Sequence, residues 1–135
     1  MKKKNEKIEV VAAIIEHEDK ILCVQRAQSK LDYISKKFEF PGGKIEKGET
    51  KTEALRRELI EELNIYPKIN DLFLTVTHQY PDFELTMHSY ICKLDSKKLT
   101  LNEHISSNWL KINELNSLDW AAADIPIVNK LIANA

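Results

Sequence analysis

Three glutamates, Glu58, Glu61 and Glu62, stand close together in the sequence, just downstream of every glycine in the chain. At about 100° per residue they fall within an arc of about 100° on one side of a helix. Glu58 and Glu62 form an i,i+4 pair of like charge, which costs about 0.2–0.5 kcal/mol on an isolated helix. Glu61 and Glu62 also sit in the last turn, where the helix dipole disfavours anions by about 0.3–1 kcal/mol each. Arg57 relieves Glu61 at i,i+4, but one cation does not cover three carboxylates. A solvated charged face is the bland explanation. The chemical one is a hard divalent cation, which takes clustered oxygen ligands; Mg²⁺ in particular is commonly shared between carboxylates and substrate phosphates.

The three glycines, Gly42, Gly43 and Gly48, all lie in the stretch Phe40-Pro-Gly-Gly-Lys-Ile-Glu-Lys-Gly48. Glycine is wanted where φ is positive or where another group must approach the backbone closely. One awkward turn before a helix would meet that description. So would a loop whose backbone atoms face a ligand or an ion.

These residues need a helix to carry them, and the helix is well marked. Thr50-Lys-Thr-Glu53 reads as a capping box. Leu55, Leu59 and Leu63 recur every four residues as a core-facing stripe. Asn64 suits the left-handed position after the last turn, and Pro67 blocks continuation. The helix is predicted over Thr50 to Leu63. Strands are expected at Ile8 to Ile15 and Lys20 to Gln25, joined by the turn Glu16-His-Glu-Asp19. Phe38 to Phe40 reads as a short extended piece. Asp71 to Gln79 and Phe83 to Leu94 read as a hairpin around Tyr80-Pro-Asp82, and Ser107 to Ile112 as a last strand. Asp124 to Ala133 is predicted as a closing helix with Asp124 as N-cap, Pro126 in its first turn, and Ile125, Val128, Leu131 and Ile132 as its apolar face. Strands and helices mix without regular βα alternation. The expected class is therefore an α+β or α/β sandwich around a mixed sheet.

At 135 residues the chain fits one domain, residues 1–135, with no room for a second core. Lys plus Arg is 20 and Asp plus Glu 21, a net charge of −1. That balance argues against a long nucleic-acid footprint, so any phosphate handling is local. The longest apolar run, Val10 to Ile15, is far short of the about 20 residues of a membrane helix. Lys2, Lys3 and Lys4 imitate a secretory signal, but the apolar stretch behind them is short, contains Glu9 and lacks a cleavage site. Cys23 and Cys92 form no metal or disulfide pattern and read as buried reduced thiols. A cytoplasmic setting is expected. His17, His78, His88 and His104 show no ligand spacing and read as turn, strand and loop residues, one of them near the substrate.

The stretch resembles the Nudix box, G-x5-E-x7-R-E-U-x-E-E-x-G-U with U a bulky aliphatic. Gly43 is followed at the required offsets by Glu49, Arg57, Glu58, Leu59, Glu61, Glu62 and Ile65. One position departs: Asn64 stands where the family usually has Gly, and both residues adopt αL. Phe38-Glu-Phe-Pro-Gly-Gly43, the Tyr80-Pro-Asp82 hairpin, Trp109-Leu110 and Ala-Asp-Ile-Pro126 look like the MutT branch, and most like its CTP pyrophosphohydrolase members. The resemblance implies the Nudix α/β/α sandwich and Mg²⁺-dependent (or Mn²⁺-dependent) conversion of a nucleoside triphosphate to a monophosphate plus pyrophosphate.

It also implies roles. Glu58, Glu61, Glu62, Glu103 and the Gly42 carbonyl are expected to hold the metal, the last explaining why a side chain is unwelcome at Gly42. Glu61 or Glu103 takes the proton of the attacking water, Arg57 orients the glutamates, Lys44 steadies the phosphates, and Glu49 anchors the loop to the helix. Phe40, Tyr80 and Phe83 are candidates to sandwich a base, with Asp82 beside them. Arg26 aligns with a nucleotide contact. Asp124 aligns with a residue that faces the base, Asn in the 8-oxo-guanine specialist and Asp in cytidine-preferring relatives. An ionised carboxylate accepts from the cytosine amine, which tilts the choice to CTP, dCTP or a modified pyrimidine nucleotide. The alternatives are 8-oxo-dGTP hydrolysis and a non-catalytic MutT-like module that only binds a base. A monomer or a homodimer fits equally.

Overall fold

The computed structural model describes residues 6–135; the Lys2–Lys4 segment lies outside the described residues. The strands are β1 (Glu6–His17), β2 (Lys20–Gln25), β3 (Phe38–Glu39), β4 (Gly42–Lys44), β5 (Lys68–Gln79), β6 (Phe83–Lys93) and β7 (Ser106–Leu110). The helices are α1 (Lys51–Leu63) and α2 (Ile125–Ala133), with 3₁₀ turns at Ile112–Ser117 and Ala122–Asp124. Among the described residues the strands form one seven-stranded sheet in the order β3-β2-β1-β6-β5, with β4 paired to β1 and β7 to β2. β1 and β6 run parallel, the other pairs antiparallel, so the sheet is mixed as expected. A parallel pair needs a long crossover. Here it contains α1 and the glycine stretch.

β1 is the centre of the molecule. Its residues Val11 to Ile15 are all buried, as a strand covered on both faces requires. Val11, Ala13 and Ile15 point toward Leu55, Leu59 and Leu63 of α1. Ala12 and Ile14 point the other way, toward Ile127, Val128 and Leu131 of α2. The sheet is thus sandwiched between two helices. Cys23 and Cys92 are free buried thiols on opposite faces, and burial pushes both up to about 12. No helix among the described residues is long and apolar enough to cross a membrane.

α1 begins as read. The Glu53 amide donates to Thr50 Oγ1 at 3.1 Å and the Thr50 amide to Glu53 Oε1 at 2.8 Å. Asn64 ends it in the left-handed region at φ 54°. Other expectations need correction. The first part of the glycine stretch is not a free loop: Gly42–Lys44 pair with Val10–Ala12 as β4. The apolar face of α2 is turned by one position, so that Ile127 is buried and Ile125 exposed. Asp124 precedes α2 but makes no side-chain cap; its carboxylate instead accepts the Phe40 amide at 3.0 Å. A buried backbone donor outcompeted the helix start.

Candidate functional site

Gly42 and Gly43 place α1 against the sheet. A Cβ on Gly42 would lie 1.9 Å from the Val11 carbonyl oxygen, and one on Gly43 would lie 2.4 Å from the Glu58 carboxyl carbon. The close approach of β1 is by itself enough to exclude a side chain at 42, a reason independent of any ligand role for its carbonyl. At 43 it is room for Glu58.

The helix is tied to the preceding loop by Arg57. Its Nε and Nη2 donate to Glu49 at 2.6 and 2.9 Å, and Nη2 also reaches the Lys44 carbonyl at 3.0 Å. Glu49 in turn accepts the Glu46 amide at 2.8 Å, so it does join loop to helix. Arg57 Nη1 holds Glu58 at 2.9 Å and Glu61 at 3.3 Å. Hydrogen bonding to Glu49 raises the Arg57 pKa, and Arg57 holds the Glu49 carboxyl below its ordinary value.

A cleft of about 690 Å³ opens beside this knot. Its wall contains Glu39, Glu46, Glu58, Glu62, Glu103 and Asp124, with Arg26 and Lys44 as the cations. The same wall carries the apolar side chains of Val10, Phe40, Tyr80, Phe83 and Met87. Glu61, Arg57 and Asp82 are not in the wall. Glu61 is half exposed at its edge, and Asp82 accepts the Tyr33 hydroxyl at the hairpin tip. Phe40 stacks on Trp120 at 4.7 Å, and Tyr80 packs on Tyr33 and Phe83 at 5.4 and 5.1 Å. The Tyr80 hydroxyl accepts the Ala123 amide at 3.0 Å. Both rings therefore belong to the core and still line the cleft.

The acids are in electrostatic tension. Glu62 is 7% exposed, and its Oε1 is buried without a partner among the described residues. Burial, then Glu39, Glu58 and Glu103, push its pKa up to about 9, against a partial offset from the Gly42 amide. Burial also raises Glu58, opposed by Arg57. Burial and Glu39 raise Asp124 well above the usual carboxylate range. Among the described residues no three His, Cys, Asp or Glu side chains already converge as a closed ligand set. An orphaned buried oxygen facing further carboxylates nevertheless fits a hard cation, which would relieve both the desolvation and the repulsion.

Glu39 and His104 were not singled out by the sequence, yet both line the cleft. His104 Nε2 lies 2.9 Å from Glu39 Oε2, and Glu39 Oε1 accepts from Arg26 Nη1 at 3.1 Å. The one available signal was an acid placed between two phenylalanines on the strand leading into the glycine pair.

The family described as NUDIX domain matches residues 10–130. The 8-oxo-dGTP diphosphatase of Escherichia coli (strain K12) is 31% identical over 125 residues, covering 93% of this chain and 96% of that one. The CTP pyrophosphohydrolase of the same strain is 35% identical over 127 residues, covering 93% and 92%. Among solved structures, the E. coli ORF135 protein matches with a TM-score of 0.81 at 34% identity, covering 96% and 91% of the two chains. A DNA mismatch repair protein MutT (family Nudix hydrolase) from methicillin-resistant Staphylococcus aureus 252 matches with a TM-score of 0.75 at 43% identity, covering 97% and 99%.

Proposed function

This chain belongs to the NUDIX domain family, and on that footing we propose that it is a magnesium-dependent nucleoside triphosphate pyrophosphohydrolase, releasing a monophosphate and pyrophosphate, with CTP, dCTP or a modified pyrimidine nucleotide as substrate. The observation that carries this reading is the buried, unpartnered Glu62 oxygen in a cleft wall shared with Glu58 and Glu103. Glu58 and Glu62 would hold the ion from α1, Glu103 from the loop before β7, Glu61 from the cleft edge, and the Gly42 carbonyl from β4. The bound ion supplies neutralisation of polyphosphate charge and a lowered pKa for the attacking water.

The chain's own residues do the rest. Arg57 orients Glu58 and Glu61 while its other edge is fixed by Glu49. Lys44 and Arg26, the lysine and arginine of the cleft wall, would meet the phosphates. Glu61 and Glu103, both on the solvent side, are the groups that can take the proton of the water attacking the β phosphorus. The apolar side chains of the wall accept the base, against Phe40, Tyr80 and Phe83.

Asp124 is the base selector in this reading. Its Oδ1 is engaged by the Phe40 amide, which leaves the other oxygen to a ligand. Burial favours its neutral form, which donates as well as accepts, so the accept-only argument for cytosine is weaker than the sequence suggested. A second reading, 8-oxo-dGTP hydrolysis, is favoured by the relative of that name. A panel of normal and oxidised nucleoside triphosphates at fixed Mg²⁺, with products separated, decides between them. Pyrophosphate release with the highest kcat/KM on a pyrimidine is expected. Orthophosphate alone, or no turnover, overturns the reading, and a large preference for 8-oxo-dGTP establishes the rival. The Asp124→Asn variant run alongside is expected to move the preference among bases by about tenfold while preserving pyrophosphate release.

A further inference from the structure

We propose that His104 is a positioning residue that acts through Glu39 to fix the direction in which Arg26 presents its guanidinium to the substrate's phosphates; this rests on the functional reading above. Three separate segments meet here. Arg26 follows the last residue of β2, and its side chain is 43% exposed. The contact that restrains it is Glu39 Oε1 at 3.1 Å. Glu39 sits on the two-residue strand β3, near enough to Glu62 and Asp124 that its charge raises the pKa of both. His104 closes on its free oxygen, Oε2, at 2.9 Å.

The His104 ring is 4% exposed, so it is a fixed part of the wall. Its loop is fastened to the strand end that carries Arg26: the Ile105 amide donates to the Gln25 carbonyl at 3.0 Å and Ser106 Oγ to Gln25 Oε1 at 2.7 Å. A carboxylate only accepts, so Nε2 carries a proton toward Glu39, and Nδ1 is the other ring nitrogen. That Nδ1 is buried with no partner among the described residues. His88 shows the contrast. There Nε2 meets Glu9 at 2.6 Å and Nδ1 meets Thr75 at 3.0 Å, and the ring is a satisfied tie across three strands. Among the described residues His104 makes its side-chain hydrogen bond to Glu39 alone, so the group it fixes is that carboxylate.

The test is steady-state kinetics on the best substrate of the panel, with equilibrium binding of a nonhydrolysable nucleoside triphosphate. It compares the wild type with His104→Leu, His104→Gln, Arg26→Ala and the His104→Leu/Arg26→Ala double variant. His104→Leu is expected to raise KM about tenfold with kcat within about threefold. Gln, which can still donate to Glu39, restores most of that loss. Adding His104→Leu to Arg26→Ala produces no further loss, because the two act as one unit. Multiplying losses, a fall in kcat at unchanged KM, or failure of Gln to restore KM overturns the proposal. If His104→Leu does not fold, His104→Asn replaces it, since Asn is too short to reach Glu39; KM equal to that of His104→Gln then overturns the proposal. A wild type that binds no nucleoside triphosphate removes the functional reading itself. A wild type that binds, with His104→Leu binding equally well, removes this inference alone.

Discussion

Replacing Glu62 by glutamine should make the metal-free protein more stable and the enzyme inactive. Burial and the neighbouring acids hold the Glu62 carboxyl up to about 9, against an ordinary value of 4.5. Between those values the folded state keeps a proton that the unfolded chain has released. Stability from this group is therefore full below about pH 4.5 and is lost as pH rises toward 9. At pH 7.5 the gap is about 3 pH units, and at about 1.4 kcal/mol per unit the ceiling is about 4 kcal/mol. Rotation of the side chain toward the open cleft lowers that ceiling, and about 2 kcal/mol is the expected gain for Glu62→Gln at this pH. In a chain of this size such a gain raises the melting temperature by about 5–10 °C.

The assay is urea denaturation in EDTA at pH 5 and pH 7.5, followed by the same measurement in excess Mg²⁺. The advantage of Glu62→Gln should be small at pH 5 and larger at pH 7.5. Mg²⁺ at about a hundred times its Kd should then add about 2.7 kcal/mol to the wild type and much less to the variant. A variant no more stable than the wild type at pH 7.5, or an advantage independent of pH, would refute the claim that Glu62 is held under electrostatic tension. Equal stabilisation of both proteins by Mg²⁺ would remove Glu62 from the ion's ligands.

The glycine pair separates folding from chemistry. Gly42→Ala drives its Cβ into the Val11 carbonyl of β1, so it should cost about 3 kcal/mol or more in a denaturant titration. Gly43→Ala meets the side-chain end of Glu58 and not backbone, so stability should change by about 1 kcal/mol or less while kcat falls at least about tenfold. Arg57→Lys keeps the charge but not the fork that spans Glu49, Glu58 and Glu61, and kcat should fall about 100-fold with Mg²⁺ affinity weakened. Activity near that of the wild type would show that the glutamates need no such brace.

What the sequence made legible were the local devices. Thr50 and Glu53 cap each other within a single turn, Asn64 supplies its own left-handed geometry, and Leu55, Leu59 and Leu63 declare their face by period alone. The acids of α1 were legible for the same reason: Glu58 and Glu62 share a helix side whatever the rest of the chain does. The errors fall where a distant partner decides. Asp124 has the type and place of an N-cap, but a buried Phe40 amide 84 positions away takes the carboxylate. Gly42 looks like a turn residue, yet what excludes a side chain there is a carbonyl of β1, a strand it meets only through tertiary pairing. Glu39 and His104 are 65 positions apart, and nothing local in either announces the contact. Each missed feature is set by a residue distant in the chain and brought close only by the fold, and the sequence does not say which. A cleft that must bind a polyanion with acids in its wall is built from such contacts. The helix that carries the acids could therefore be read from the residues, whereas the rest of the cleft wall had to be seen.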